Sequence, residues 1–223
     1  MQKPRRSYKN KLCSNKFTMT PIDVAPLRDF VRKITSAIDQ DANEARLLPI
    51  VKLAMSVLCS KSNWLAPAYW ATGEPHYQQY LLHCDPRERF SVISMVCAPG
   101  QATPVHDHTV WGVIGILSGA ELVTSYSVDM TTGESVEINK ALLEQGSIEA
   151  VSPILGDWHQ VSNGLITEPS VSIHIYGSNI GATPRHTLNR DSRTIKRFVS
   201  TYNNSQMPNL WDRSAQIRRQ IET

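Results

Sequence analysis

The sequence predicts a mainly β chain, a sandwich or barrel of short antiparallel strands with α-helices packed on it at the N-terminal end. Three observations carry this. From Tyr77 onward, short runs of β-branched, aromatic and aliphatic residues alternate with turn signals, as in two-sheet and closed all-β architectures. From Pro26 to about Leu58 the apolar residues instead recur at three and four, the helical period. At 223 residues and 41% hydrophobic content, the chain suits one core with appended helices or tails rather than two independent domains.

The elements follow in order. Lys3, Arg5, Arg6, Lys9, Lys11 and Lys16 precede the first acidic residue, Asp23; removing those six from the formal net charge of +3 leaves −3 for the rest. The basicity therefore belongs to a tail over residues 1–20, expected to be disordered, and the body offers no nucleic-acid surface. That tail lacks the apolar core of a signal peptide, and no run of about 18 apolar residues exists, so a cytoplasmic protein without a membrane partner is expected. Leu27, Phe30, Val31, Ile34 and Ile38 predict one helix, and Leu47, Leu48, Val51 and the run Leu53 to Leu58 a second, whose place is over one face of a sheet. Ser62 to Pro75 reads as a loop whose Trp64, Tyr69 and Trp70 plug a barrel mouth. Strands are expected over Tyr80–His83, Phe90–Val96, Val105–Leu117, Ala120–Val128, Val136–Asn139, Gly146–Val151, Gln160–Asn163 and Ser170–Tyr176. The resulting organisation is a helical part over 21–75, a β-barrel over 76–190 and a C-terminal extension over 191–223. Cys13, Cys59, Cys84 and Cys97 show no metal-binding spacing and are expected to be reduced and mostly buried.

The chemistry concentrates at Pro104 to Gly112, around His106-x-His108. On a strand, residues two apart share a face, so both imidazoles can reach one metal ion; on a helix they would diverge by about 200°. Gly100 precedes His106 by five intervening residues, and Gly112 and Gly119 follow at intervals that resemble the first motif of the cupin superfamily. Gly112 stands where that motif has a glutamate. The second cupin motif is similar to Pro153, Gly156, His159 and Asn163, with one extra residue between the proline and the glycine. The fold this resemblance implies is the cupin double-stranded β-helix, a jelly-roll barrel, with three histidines and no carboxylate as metal ligands. His76, His83 and His186 read as structural.

Ser172, His174 and Tyr176 alternate with isoleucines, so they share one strand face. That face either lines a site, as a hydrogen-bonded line from hydroxyl through imidazole to phenol, or is the solvated side of an edge strand; periodicity does not choose. With these residues the chain resembles the thiol dioxygenases of the cysteine dioxygenase family, most closely their 3-mercaptopropionate dioxygenase branch. The likeness extends to Gly177–Gly181, Phe198–Tyr202 and Pro208–Trp211. It implies Fe(II) held by His106, His108 and His159, with Ser172, His174 and Tyr176 as the catalytic triad beside it. It also implies that Arg185, otherwise a solvated loop arginine, pairs with a substrate carboxylate. Animal-type relatives carry a cysteine cross-linked to the triad tyrosine; Gly112 and Val113 occupy that region here, so Tyr176 is expected unmodified. The implied reaction adds both atoms of O2 to the sulfur of a small carboxylate-bearing thiol, giving a sulfinic acid. Cysteine, cysteamine or mercaptosuccinate are alternative substrates, and a non-oxidative metal-dependent cupin enzyme is the alternative chemistry. Oligomeric state is not readable from these residues.

Overall fold

The structure, a computed structural model, describes residues 22–204 and 214–221; the basic tail over 1–20, with Cys13, and the Pro208–Trp211 segment lie outside the described residues. The helical period produces α1 (Ala25–Gln40), with Pro26 in its first turn, and α2 (Glu44–Cys59), whose Asn43 side chain caps the Arg46 amide. Phe30 and Ile34 of α1, and Val51, Met55 and Leu58 of α2, are buried against the first of two sheets. Fully burying each such side chain contributes about 1.5–3 kcal/mol. Gly115 lets α2 approach, since a Cβ there would sit 2.7 Å from Cys59 Sγ. None of the described helices is long and apolar enough to cross a membrane.

The strands are β1 (Gln78–Cys84), β2 (Ser91–Cys97), β3 (Val105–His106), β4 (Gly112–Ser118), β5 (Ala120–Val128), β6 (Ser135–Glu144), β7 (Ile148–Val151), β8 (His159–Asn163), β9 (Ser170–Tyr176), β10 (Arg185–Asn189) and β11 (Thr194–Phe198). A short helix, α3 (Ser214–Ile221), follows. One sheet has the order β1-β2-β9-β4-β7 and the other β11-β10-β3-β8-β5-β6, with every pairing antiparallel. Apart from the hairpins β1–β2, β5–β6 and β10–β11, each strand is followed by one in the other sheet, as in a jelly roll. In β9 the alternation separates two environments: Val171, Ile173 and Ile175 join the core beneath the helices, while Ser170, Ser172, His174 and Tyr176 face the other sheet. The polar face is thus interior, not the solvated side of an edge strand.

Several expectations are corrected. The strand expected over Val105–Leu117 is broken into β3 and β4, which lie in different sheets. Thr109 takes φ +59, and its amide and that of His108 both donate to Asp157 Oδ2, at 2.9 and 3.0 Å, which pins the chain in the break. Trp64 plugs no barrel mouth. It is 1% exposed in the core between helices and sheet, with its indole N–H directed to the Leu58 and Lys61 carbonyls, and Tyr69 and Trp70 pack against that same core. The β-sheet also continues past residue 190, because β11 pairs with β10 along its whole length.

Candidate metal centre

The break after β3 assembles the site. His106 and His159 are direct partners across the β3–β8 pairing, so their rings rise side by side into the space between the sheets. His108 enters from the loop that Asp157 holds. The three ring centroids lie 4.8–5.0 Å apart, all three residues are buried, and their ligand nitrogens fall within 4.8 Å of one another. This is a group that could hold a metal ion. His106 Nδ1 lies 3.0 Å from the Pro104 carbonyl, which can only accept, so Nδ1 carries the proton and Nε2 is left for the ion. Both ring nitrogens of His108 are buried without a protein partner, and a metal would satisfy one. Burial, then the neighbouring His159, hold His106 and His108 well below the usual imidazole range; burial and then Arg185 bring His159 to about 4. All three are neutral near pH 7, as metal ligation requires.

The neighbours of the ligands serve as braces. Asp107, between the two motif histidines, points away from the cluster: its Oδ1 accepts the His186 amide at 2.6 Å and its Oδ2 accepts from His186 Nδ1 at 2.7 Å. His186 is thus structural, as expected. His83 is packed on Phe90 and His76 is exposed, so neither joins the cluster. Cys59, Cys84 and Cys97 are buried.

The Ser-His-Tyr line forms as the alternation allowed. Ser172 Oγ lies 2.8 Å from His174 Nε2, and His174 Nδ1 lies 2.8 Å from Tyr176 Oη. Tyr176 stacks on His108 with centroids 5.0 Å apart, which joins the line to the ligand set. Gly112 has a use other than leaving room where a glutamate would stand: a Cβ there would meet Tyr176 Cδ1 at 2.7 Å, so the ring itself fills that space. Beyond Ser172 the line continues to a residue that sequence reasoning missed. Glu121 Oε1 accepts from Ser172 Oγ at 2.9 Å and from Ser170 Oγ at 3.1 Å, while Oε2 is buried without a partner. Glu121 is 1% exposed, and burial pushes its carboxyl up to about 7. A carboxylate on the inward face of an otherwise apolar and hydroxylic strand was the available signal. Glu121, His106, His159, His174, Tyr176 and Cys97 line one small cavity between the sheets.

Arg185 is no loop arginine. It opens β10 at 4% exposure, two residues before Thr187, the partner of His106, and so projects on the same side of the sheet as that ligand. Its guanidinium lies over the Phe198 ring at 4.7 Å and donates to Ser200 Oγ at 2.7 Å, while its Nε is buried with no partner. Its charge acts on all three histidines and on Tyr176.

No family model matches the chain. Among solved structures, a double-stranded β-helix domain protein from Klebsiella pneumoniae aligns at 16% identity over 50% of this chain and 80% of its own, with a TM-score of 0.40. A cupin 2 barrel protein from Salinispora arenicola aligns at 19% identity over 50% and 83%, with a TM-score of 0.37. An RmlC-like cupin from Desulfovibrio desulfuricans aligns at 21% identity over 52% and 96%, with a TM-score of 0.38. The chain's own two antiparallel sheets form a jelly-roll β-barrel with helices packed on one sheet.

Proposed function

We propose that the chain is a thiol dioxygenase that uses Fe(II) to convert a small carboxylate-bearing thiol, foremost 3-mercaptopropionate, to its sulfinic acid. The observation that carries this reading is Arg185: a buried guanidinium with an unpartnered Nε, on the interior side of the barrel that also carries three neutral histidines. A buried cation with a spare donor is costly unless an anion completes it, and a substrate carboxylate held by two N–H groups is such an anion. His106, His108 and His159 would hold the iron, which when bound supplies the dioxygen-activating chemistry. Since the three ligands bring no negative charge, an anionic thiolate is favoured as the next group to enter. Arg185 fixes the carboxylate end of the substrate and thereby the direction of its sulfur. Tyr176, stacked on His108 and hydrogen-bonded to His174, presents its phenol oxygen to the same space.

The test is anaerobic loading with Fe(II) followed by oxygen uptake with 3-mercaptopropionate, cysteine, cysteamine and mercaptosuccinate, with the product identified by mass spectrometry. Uptake matched by sulfinate, fastest with a carboxylate-bearing thiol, is expected. Iron-loaded protein that consumes no oxygen with any of the four would overturn the reading in favour of non-oxidative metal chemistry.

A further inference from the structure

We infer that Glu121 sets the direction of the Ser172–His174–Tyr176 line, acting as a positioning residue that makes His174 an Nε2–H imidazole and turns the lone pairs of Tyr176 toward the metal centre. An ionised carboxylate only accepts, so the single hydroxyl proton of Ser172 points at Glu121 Oε1, 2.9 Å away. Were that proton turned to His174 instead, a serine lone pair would face a carboxylate lone pair at the same distance, in a site closed to water. Ser172 Oγ can therefore only accept from His174, and the 2.8 Å contact to Nε2 is an N–H donation. His174, held neutral by burial, has one ring proton to place. Nδ1 is then a bare acceptor, and the 2.8 Å contact to Tyr176 is the phenol donating inward.

Ser170 strengthens the arrangement by donating to the same carboxylate oxygen at 3.1 Å. With this polarity, Tyr176 accepts hydrogen bonds at the metal centre: it pairs with groups that bring a proton, and it donates only if the whole line reverses. Reversal requires a proton on Glu121, after which carboxyl, serine, imidazole and phenol each donate one place further along. The line thus has two ordered states, and Glu121 chooses between them.

The inference concerns a line that also belongs to the proposed function, but its test reads a tautomer and needs no turnover, so the two can fail separately. Histidine-selective 15N labelling of the full chain, with His174 assigned by loss of its signals in His174→Gln, distinguishes protonated from bare ring nitrogens. At pH ~8.5, where Glu121 is ionised, wild type is expected to show Nε2 protonated and Nδ1 bare. In Glu121→Met the strongest acceptor left beside the Ser172 hydroxyl is the imidazole, so an Nδ1–H form is expected to appear. In Ser172→Ala, which removes one atom, Nε2–H loses its acceptor and the same shift is expected. An Nδ1–H imidazole in wild type overturns the inference without any variant. An Nε2–H imidazole unchanged in Ser172→Ala, or in Glu121→Met where that variant folds, overturns the role of Glu121.

Discussion

Gly112→Ala places one methyl group between a strand and a ring that has nowhere to go. The new Cβ would lie 2.7 Å from Tyr176 Cδ1, 2.9 Å from Cε1 and 3.2 Å from the Ile175 carbonyl oxygen, against about 3.4 Å for ordinary contact. The carbonyl cannot yield, because Val113 and Ile175 are paired across β4 and β9. The ring must therefore retreat by about 0.7 Å, the difference between 3.4 and 2.7 Å. On its other side it is already stacked on His108 at 5.0 Å. The same displacement would stretch the 2.8 Å bond to His174 to as much as about 3.5 Å, the limit of a useful hydrogen bond. Overpacking costs about 1–3 kcal/mol and the bond about 1 more, so a loss of about 2–4 kcal/mol is expected in urea denaturation of the metal-free protein. Gly100→Ala is the control: φ is +80 there with nothing within 4 Å, so only backbone strain of about 1 kcal/mol applies. A Gly112→Ala protein within ~0.5 kcal/mol of wild type would show that the ring can move freely and would refute the fit argued here.

Four further outcomes are expected. Asp85, 2% exposed, accepts from the Arg87 amide and from the amide, Nε and NH2 of Arg89, and the Arg89 hydrogen bonds hold its carboxyl at about 2 against an ordinary 3.8. Because the folded value is depressed, its stabilisation is present above pH 3.8 and is lost as pH falls through about 2; Asp85→Asn should cost about 2 kcal/mol at pH 7 and almost nothing near pH 2, read by thermal melts. Glu121 has the opposite sign: raised to about 7 from 4.5, it should give full stability below pH 4.5 and lose about 3 kcal/mol as pH rises through 7, a slope that Glu121→Gln should flatten. Tyr176→Phe should lower thiol oxidation on the order of 10–100-fold while iron content, measured by metal analysis, is unchanged. Arg185→Ala should raise KM for 3-mercaptopropionate about 10–100-fold and leave that for cysteamine, which has no carboxylate, nearly unchanged; equal effects on both would contradict the carboxylate role.

Local sequence carried much of the barrel, because strand alternation rests on period two. His106 and His108 were legible as paired ligands, but the shared strand face expected of them is not what joins them: β3 ends at His106 and His108 enters from the loop, a break that depends on Asp157, 48 and 49 residues away, and no local pattern reveals it. Trp64 was misplaced for a related reason: an aromatic in a loop says nothing of which layer closes over it, and here the helices do. The strands β10 and β11 escaped because their burial does not alternate cleanly; Arg185 and Leu188 are buried, while β11 exposes Thr194, Lys196 and Arg197. Glu121 could be noticed in the sequence but not placed, since its partners Ser170 and Ser172 lie 49 and 51 residues away and only the packing of β5 against β9 brings them together.

The charges of the centre make one argument that no single residue makes. Asp107 and Asp157 are occupied by His186 and by two backbone amides, so neither offers a free carboxylate to the histidine cluster. Among the described residues lining the cavity, the remaining carboxyl is Glu121, and its Oε1 already takes two serines. A divalent ion on three neutral imidazoles, together with Arg185, would bring three positive charges against at most one negative charge from the cavity lining, that of Glu121. A thiolate that also carries a carboxylate would supply two more. A thiol bearing an ammonium group would add a positive charge beside Arg185, in a buried site where such repulsion is poorly screened. Had Gly112 been a ligating glutamate, one of those two charges would already be in place, and Tyr176 could not occupy the space its ring now fills. The glycine therefore acts twice on the proposed chemistry: it keeps the centre short of negative charge, and it brings the phenol against His108.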